Sequence, residues 1–181
     1  MVMKKLGVNG IKRKLKTMNH NELEKLIIDI YKNNKQANLY LESLFNDEDN
    51  GLEILRSYQK KVMKELDFSK STINIKKASD YVKEYCQITN NKEHQATIYL
   101  TYVYYAAQTT HIYGDMNQKY YHQMINMFDK FATIANQCEI SYVQNNQKYL
   151  SDIIDNVRDL GWGVEEEMMD IYINIDGVED E

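Results

Sequence analysis

The sequence predicts an all-α fold: a single-domain, irregular multi-helix bundle of antiparallel helix hairpins, with about eight helices and no sheet. The chain of 181 residues has no proline and only 7 glycines, whereas sheet-rich folds need turn residues in quantity. Apolar residues recur at helical spacing over most of its length. The most apolar run, 98–107, contains Thr101 and has polar residues on both sides. It is shorter than the roughly 20 apolar residues of a membrane span.

The first part of the chain predicts a basic segment and two helices. Residues 1–18 form the basic N-terminal segment, and Asn19 with Glu22 predicts a capping box at the start of the first helix. A break at Asn33-Asn34 separates two apolar stripes, which indicates a helical hairpin or a kinked pair. The stripes contain Leu23, Leu26, Ile27, Ile30, Tyr31, Ala37, Tyr40, Leu41, Leu44 and Phe45.

The next stretch predicts a loop and two further helices. The stretch 46–51 is rich in Asn and Asp and ends in glycine, which is typical of a loop. Apolar faces follow on either side of a predicted break at 69–72. They contain Leu52, Leu55, Val62, Met63 and Leu66, then Ile75, Ala78, Val82, Tyr85 and Cys86.

A central helix is predicted from His94 to Tyr113. Its apolar residues form two stripes, which is the pattern of a helix buried on most sides, and Gly114 ends it in the manner of a glycine C-cap. Tyrosines in and after this helix either fill a core or line a polar cavity, because buried hydroxyls need acceptors. They are Tyr99, Tyr102, Tyr105, Tyr120 and Tyr121.

Three more helices complete the predicted all-helical domain, residues 19–175. The sixth carries a seam from Tyr121 to Cys138 that we expect to pack antiparallel to the central helix across the Gly114 turn. The seventh extends over 143–160. The cluster Gly161-Trp162-Gly163 interrupts it, and a short last helix leads to an acidic tail, residues 176–181.

Composition and charge restrict the class of protein. The formal charge of −5 excludes a uniformly basic nucleic-acid binder, although residues 1–16 are basic and residues after 150 are strongly acidic. We expect the two ends to be solvated and partly neutralising, within one chain or between subunits. The two cysteines lack metal-ligand spacing and are expected to be reduced core residues, and the absence of an apolar leader predicts a cytoplasmic protein.

Trp162 is the first candidate for partner binding. The preferred interpretation of its two flanking glycines is a tight interruption between helices, over which the indole packs. The alternative is an exposed aromatic anchor, since Trp is enriched among interface hot spots. Tyr113 and Asp115, at the end of the central helix, are further candidate partner-binding residues.

Two other candidate sites involve metal and charge. His111, Asp115 and His122 form a candidate metal or general-base site across the Gly114 turn, although a fourth ligand and an HExxH motif are absent. Basic side chains of the N-terminal half form a candidate surface for nucleic-acid backbone or anionic lipid. They are Lys12, Arg13, Lys14, Lys16, Lys76 and Lys77.

Several segments, in this order, resemble a family of small bacterial all-helical proteins classed only as a domain of unknown function. The resemblance covers about residues 10–175 and implies a cytoplasmic bacterial helical protein, without catalytic residues that carry over. The segments are Glu22 to Lys35, Tyr40-Leu41, Lys76-Lys77-Ala78, Tyr113-Gly114-Asp115, and Gly161-Trp162-Gly163 with Asp170 and Tyr172 beyond.

The functional expectation is a non-enzymatic protein-interaction module without a cofactor, which binds another protein or a second copy of itself. Nucleic-acid or anionic-surface binding through the basic N-terminal half is the first alternative. A metal-dependent enzyme at His111, Asp115 and His122 is the second.

Overall fold

The computed structural model confirms the all-α class. It describes residues 6–45, 48–67, 69 and 72–178, with the side chains of 48–50 outside that description. Within these residues there are ten helices and no strand. The helices are α1 Val8–Leu15, α2 His20–Asn33, α3 Lys35–Phe45, α4 Glu48–Leu66, α5 Ile75–Ile88, α6 Lys92–Tyr113, α7 Gln118–Ala135, α8 Ile140–Asn145, α9 Gln147–Val157 and α10 Val164–Tyr172.

Ten helices are described rather than about eight, for two local reasons. The basic N-terminal segment contains α1, and the predicted seventh helix is divided into α8 and α9. Asn146 lies at the division with φ −107° and ψ 6°, outside the helical region, so its backbone breaks the helix although the apolar side chains continue on both sides.

Part of the predicted loop at 46–51 is helical. Residues 46 and 47 lie outside the described residues, but α4 begins at Glu48 and contains Gly51. The buried residues Leu55, Val62 and Leu66 explain the difference, because packing of this stripe on α5 and α6 stabilises a helix beyond what its first residues predict. Likewise, residues 68, 70 and 71 of the predicted break at 69–72 lie outside the description.

Contacts divide the chain into two compact units, Met1–Phe45 and Asn46–Glu181. In the first unit, α2 packs on α3. In the second, α6 is central and packs on α4, α5, α7 and α9, while α10 packs on α7 and α9. The predicted ranges 1–18, 19–175 and 176–181 stay a prediction, and residues 179–181 of the acidic tail lie outside the described residues.

The central position predicted for α6 is confirmed. Its buried residues occupy most of its circumference, as expected when neighbours pack on several sides of a helix. Packing of α6 on α7 across the short 114–117 connection is also confirmed, and the Tyr120 hydroxyl donates to the Ala106 carbonyl oxygen at 2.9 Å. Among the described residues, no helix has the length and apolarity to cross a membrane.

Asparagine side chains cap five of the described helices. At each of these N-termini the asparagine Oδ1 accepts from the backbone N–H three residues later, which pairs a donor that the helix leaves unsatisfied. The predicted capping box is confirmed, since the Glu22 carboxylate also accepts from the Asn19 N–H at 2.8 Å. The capping residues are Asn19, Asn34, Asn74, Asn91 and Asn117.

Candidate interaction surfaces

Trp162 is exposed, so the preferred interpretation of an indole packed over a helix end is wrong. Its side chain is 70% exposed, and its φ is 65°, which is uncommon for a residue with a bulky side chain. Gly163 follows with φ 72° and caps α10, and Asp159 also has positive φ, at 63°. Three left-handed residues within five positions make a tight turn that points the indole to solvent.

The turn after α6 has its own hydrogen bonds. Tyr121 donates its hydroxyl to the Asp115 carboxylate at 2.9 Å and accepts from the Met116 N–H at 2.8 Å. This carboxylate raises the pKa of Tyr121, although burial is the larger cause. Tyr113 is 55% exposed at the end of α6. Asp115 therefore stabilises the turn, while Tyr113 remains an accessible aromatic side chain.

The candidate metal ligands are not assembled into a site. His111 and His122 are both exposed, and Asp115 is bonded to Tyr121. Over the part of the chain that the structure describes, no group of three or more His, Cys, Asp or Glu residues could hold a metal ion. The geometry therefore gives the metal-dependent enzyme no support. Cys86 and Cys138 are free and half-buried, at the edge of the core rather than inside it.

The candidate basic residues are divided between the two units. Lys12, Arg13, Lys14 and Lys16 are exposed on or just after α1, in the first unit. In the second unit, Lys76 pairs with Asp80 at 2.8 Å and Lys77 pairs with Glu65 at 2.9 Å. Because these two ammonium groups already have acidic partners, less positive charge is available for a polyanion than the sequence indicates. Nucleic-acid binding stays a prediction.

The first unit carries a surface that sequence reasoning assigned to packing. None of the described residues 6–45 is buried, although α2 and α3 bear the apolar stripes of a core-forming hairpin. The Tyr31 hydroxyl donates to the Glu42 carboxylate between the two helices, and this bond raises the pKa of Tyr31. We call four exposed apolar residues of the two helices the hairpin surface. They are Ile27 49%, Ile30 43%, Leu44 46% and Phe45 82% exposed. Ile28 lies on another side of α2, with Lys25 and Lys32.

The second unit has a groove between α4 and α9, with α6 as its floor. Its volume is about 450 Å³, and a neighbouring depression of about 350 Å³ that shares Lys60, Met63 and Tyr105 continues it along α4. We call this the α4–α9 groove. Its lining includes Arg56, Gln59, Lys60, Met63, Thr97, Leu100, Thr101, Tyr104, Tyr105, Asn146 and Tyr149.

The groove is lined by aromatic rings and by two cationic side chains. Tyr104 makes edge-to-face contacts with Tyr105, at 5.4 Å between centroids, and with Tyr149, at 5.3 Å. Arg56 and Lys60 are exposed, and neither pairs with an acid among the described residues. Sequence reasoning missed this site. The polar interruptions of α6 were the available signal, since Thr97, Thr101 and Gln108 share a face with Tyr104 and Tyr105.

The tyrosines both fill the core and line the groove. Tyr102, Tyr120 and Tyr121 are buried, whereas Tyr105 is half-buried in the groove lining. Burial raises the pKa of Tyr99 to about 12. The open question of core or cavity is therefore answered separately for each side chain.

The chain matches no protein-family model, no curated protein and no solved structure. The resemblance to an all-helical bacterial family stays a prediction, and the functional argument depends on the geometry of the chain itself.

Proposed function

We propose that the chain is a protein-interaction module whose hairpin surface docks on a protein partner. The observation that supports the proposal is that the described residues 6–45 include no buried side chain. Apolar side chains of α2 and α3 are exposed instead, among them Ile27, Ile30 and Phe45. Folded units of about 40 residues rarely bury enough apolar area to be stable without a further constraint or a partner.

Apolar burial is the expected driving force at this surface. Ile27 and Ile30 lie three residues apart and share one face of α2. Each is about half exposed, so a partner that covers it gains roughly half of the 1.5–3 kcal/mol that full burial of such a side chain contributes. Exposed apolar patches mark interaction sites, whereas single exposed apolar residues are common. A partner that offers an apolar helical face or groove fits this chemistry.

The test is affinity purification of the tagged chain from the cells that encode it, with and without nuclease. Ile27→Ser combined with Ile30→Ser should remove most of the captured partner, because both side chains leave the hairpin surface. Lys25→Ser combined with Lys32→Ser is the matched control, since these residues are exposed on the same helix and are charged rather than apolar. It should retain the partner.

Two results would contradict the proposal. One is equal capture by the isoleucine and lysine variants. The other is bound material that disappears with nuclease and with substitution of Lys12, Arg13, Lys14 and Lys16, which would favour the nucleic-acid alternative.

A further inference from the structure

The outer face of α10 has the chemistry that complements the α4–α9 groove. Glu166 and Asp170 are exposed and lie four residues apart. Met169 and Ile173 have the same spacing on this face and are 37% and 59% exposed. No basic residue occurs after Arg158. Trp162 precedes this helix by one capping glycine. The face is therefore acidic and apolar, with an exposed indole at its start.

The groove is basic and apolar. Arg56 and Lys60 lie four residues apart on α4 and therefore share one side of the helix, next to Met63 and Tyr104. Lys64 continues this row one turn further, and among the described residues that line the two depressions Asp67 is the one acid. Positive groups thus follow the wall of the groove, while apolar and aromatic groups form its floor.

The groove is also long enough for this helix. The 12 residues from Arg56 to Asp67 extend over about 18 Å at 1.5 Å per residue, and the 9 residues of α10 extend over about 14 Å. Three of the α6 side chains on the floor are half-buried, as expected of a helix face that lacks one neighbour. They are Thr97, Tyr104 and Tyr105.

We propose that the α4–α9 groove of one copy binds the outer face of α10, with Trp162, of a second copy. The inference rests on the proposed function, because both take the chain to bind a protein. It concerns the groove instead of the hairpin surface, and the partner is a second copy of the chain. The two contacting surfaces differ, so the contact is head-to-tail, and a pair of copies keeps one free groove and one free α10 for further copies.

Sedimentation equilibrium of the purified chain tests the proposal. The groove variant carries Arg56→Glu and Lys60→Glu, and the helix variant carries Glu166→Lys and Asp170→Lys. We expect concentration-dependent association of the unsubstituted chain, weaker in high salt, and a fall in the association constant of at least about tenfold in each variant alone, because like charges then meet. An equimolar mixture should associate again, since each variant presents the charge that the other requires.

The control carries Lys83→Glu and Lys119→Glu, which change the net charge as the groove variant does at exposed sites on α5 and α7. It should associate as the unsubstituted chain does. Trp162→Ala should weaken association by about tenfold, as expected for an aromatic hot spot, and an unchanged constant would contradict the placement of Trp162.

A monomer at all concentrations would overturn the inference, as would variants that associate normally or a mixture that stays monomeric. A single-stranded oligonucleotide bound by the unsubstituted chain and not by the groove variant, without self-association, would overturn it in favour of nucleic acid. These results are independent of the hairpin surface, so failure here leaves the proposed function to its own test.

Discussion

At the level of single residues, Gly114 and Trp162 both have positive φ angles, but only Gly114 adopts such a backbone conformation without strain. Gly114 ends α6 with φ 84° and ψ −149°, and its N–H donates to the Thr110 carbonyl oxygen at 2.8 Å. This combination of angles is essentially restricted to glycine. Trp162 has φ 65° although it carries a Cβ, which disfavours positive φ. Strain of this kind often accompanies a functional position, which agrees with the exposure of the indole.

Gly114→Ala is expected to destabilise the chain by roughly 1–3 kcal/mol, because a Cβ at this position requires a disfavoured backbone conformation. No heavy atom lies within 4 Å of that Cβ, so the cost is conformational rather than steric crowding. Denaturant unfolding followed by circular dichroism measures the change. Gly161→Ala is the control, because its Cβ is equally unobstructed and its φ is not positive. Equal loss in both variants would contradict this explanation.

At the level of helices, the sequence predicted one N-cap and several of the interruptions. The cap at Asn19 was predicted and is confirmed, whereas Asn74, Asn91 and Asn117 also cap helices and were not predicted as caps. The break at Asn146 was not predicted, because the apolar pattern continues on both sides of it. The break is visible only in the backbone dihedral angles of Asn146. The exposure of the hairpin was not predicted either, since an apolar stripe indicates that a face is to be covered without indicating what covers it.

Asn91→Ala is expected to lower the free energy of unfolding by about 1 kcal/mol, the typical cost of losing an asparagine N-cap. Its Oδ1 accepts from the His94 N–H at 3.1 Å at the start of α6. Chemical denaturation gives the value. The neighbouring Asn90→Ala is the matched control, because Asn90 is exposed and does not cap the helix. A comparable loss at Asn90 would show that the cap is not the cause.

At the level of the whole molecule, the class of fold and the central helix were predictable, whereas the α4–α9 groove was not. Periodicity identifies which face of a helix is apolar, but the number of neighbours around α6 depends on contacts between segments far apart in the chain. Tyr104 and Tyr105 differ little from Tyr102 in sequence. Yet they line the groove while Tyr102 is buried, and the Tyr102 hydroxyl donates to the Ile75 carbonyl oxygen at 3.4 Å.

The buried tyrosines predict that the fold is sensitive to alkali. Burial raises the pKa values of Tyr102, Tyr120 and Tyr142 above the usual range and that of Tyr99 to about 12. Below about pH 10 these tyrosines are protonated in both the folded and the unfolded chain, so they give no pH dependence. Above it the unfolded chain releases protons more readily, and the stability of the fold decreases as pH rises.

Helical circular dichroism and phenolate absorbance, recorded together from pH 9 upward, measure this effect. The phenolate signal of the buried tyrosines should coincide with the loss of helix. Complete ionisation while the helices persist would contradict the assignment of these tyrosines to the core.

The half-buried face of α6 has a consequence for protein engineering. Val103 and Ala107 are enclosed, and any replacement there must fit the volume left by four neighbouring helices. Thr97, Tyr104 and Tyr105 belong to the same helix but line the groove. A combinatorial library at these three positions therefore varies a surface supported by the most enclosed helix of its unit, so new binding specificities can be selected there with little disturbance of the core.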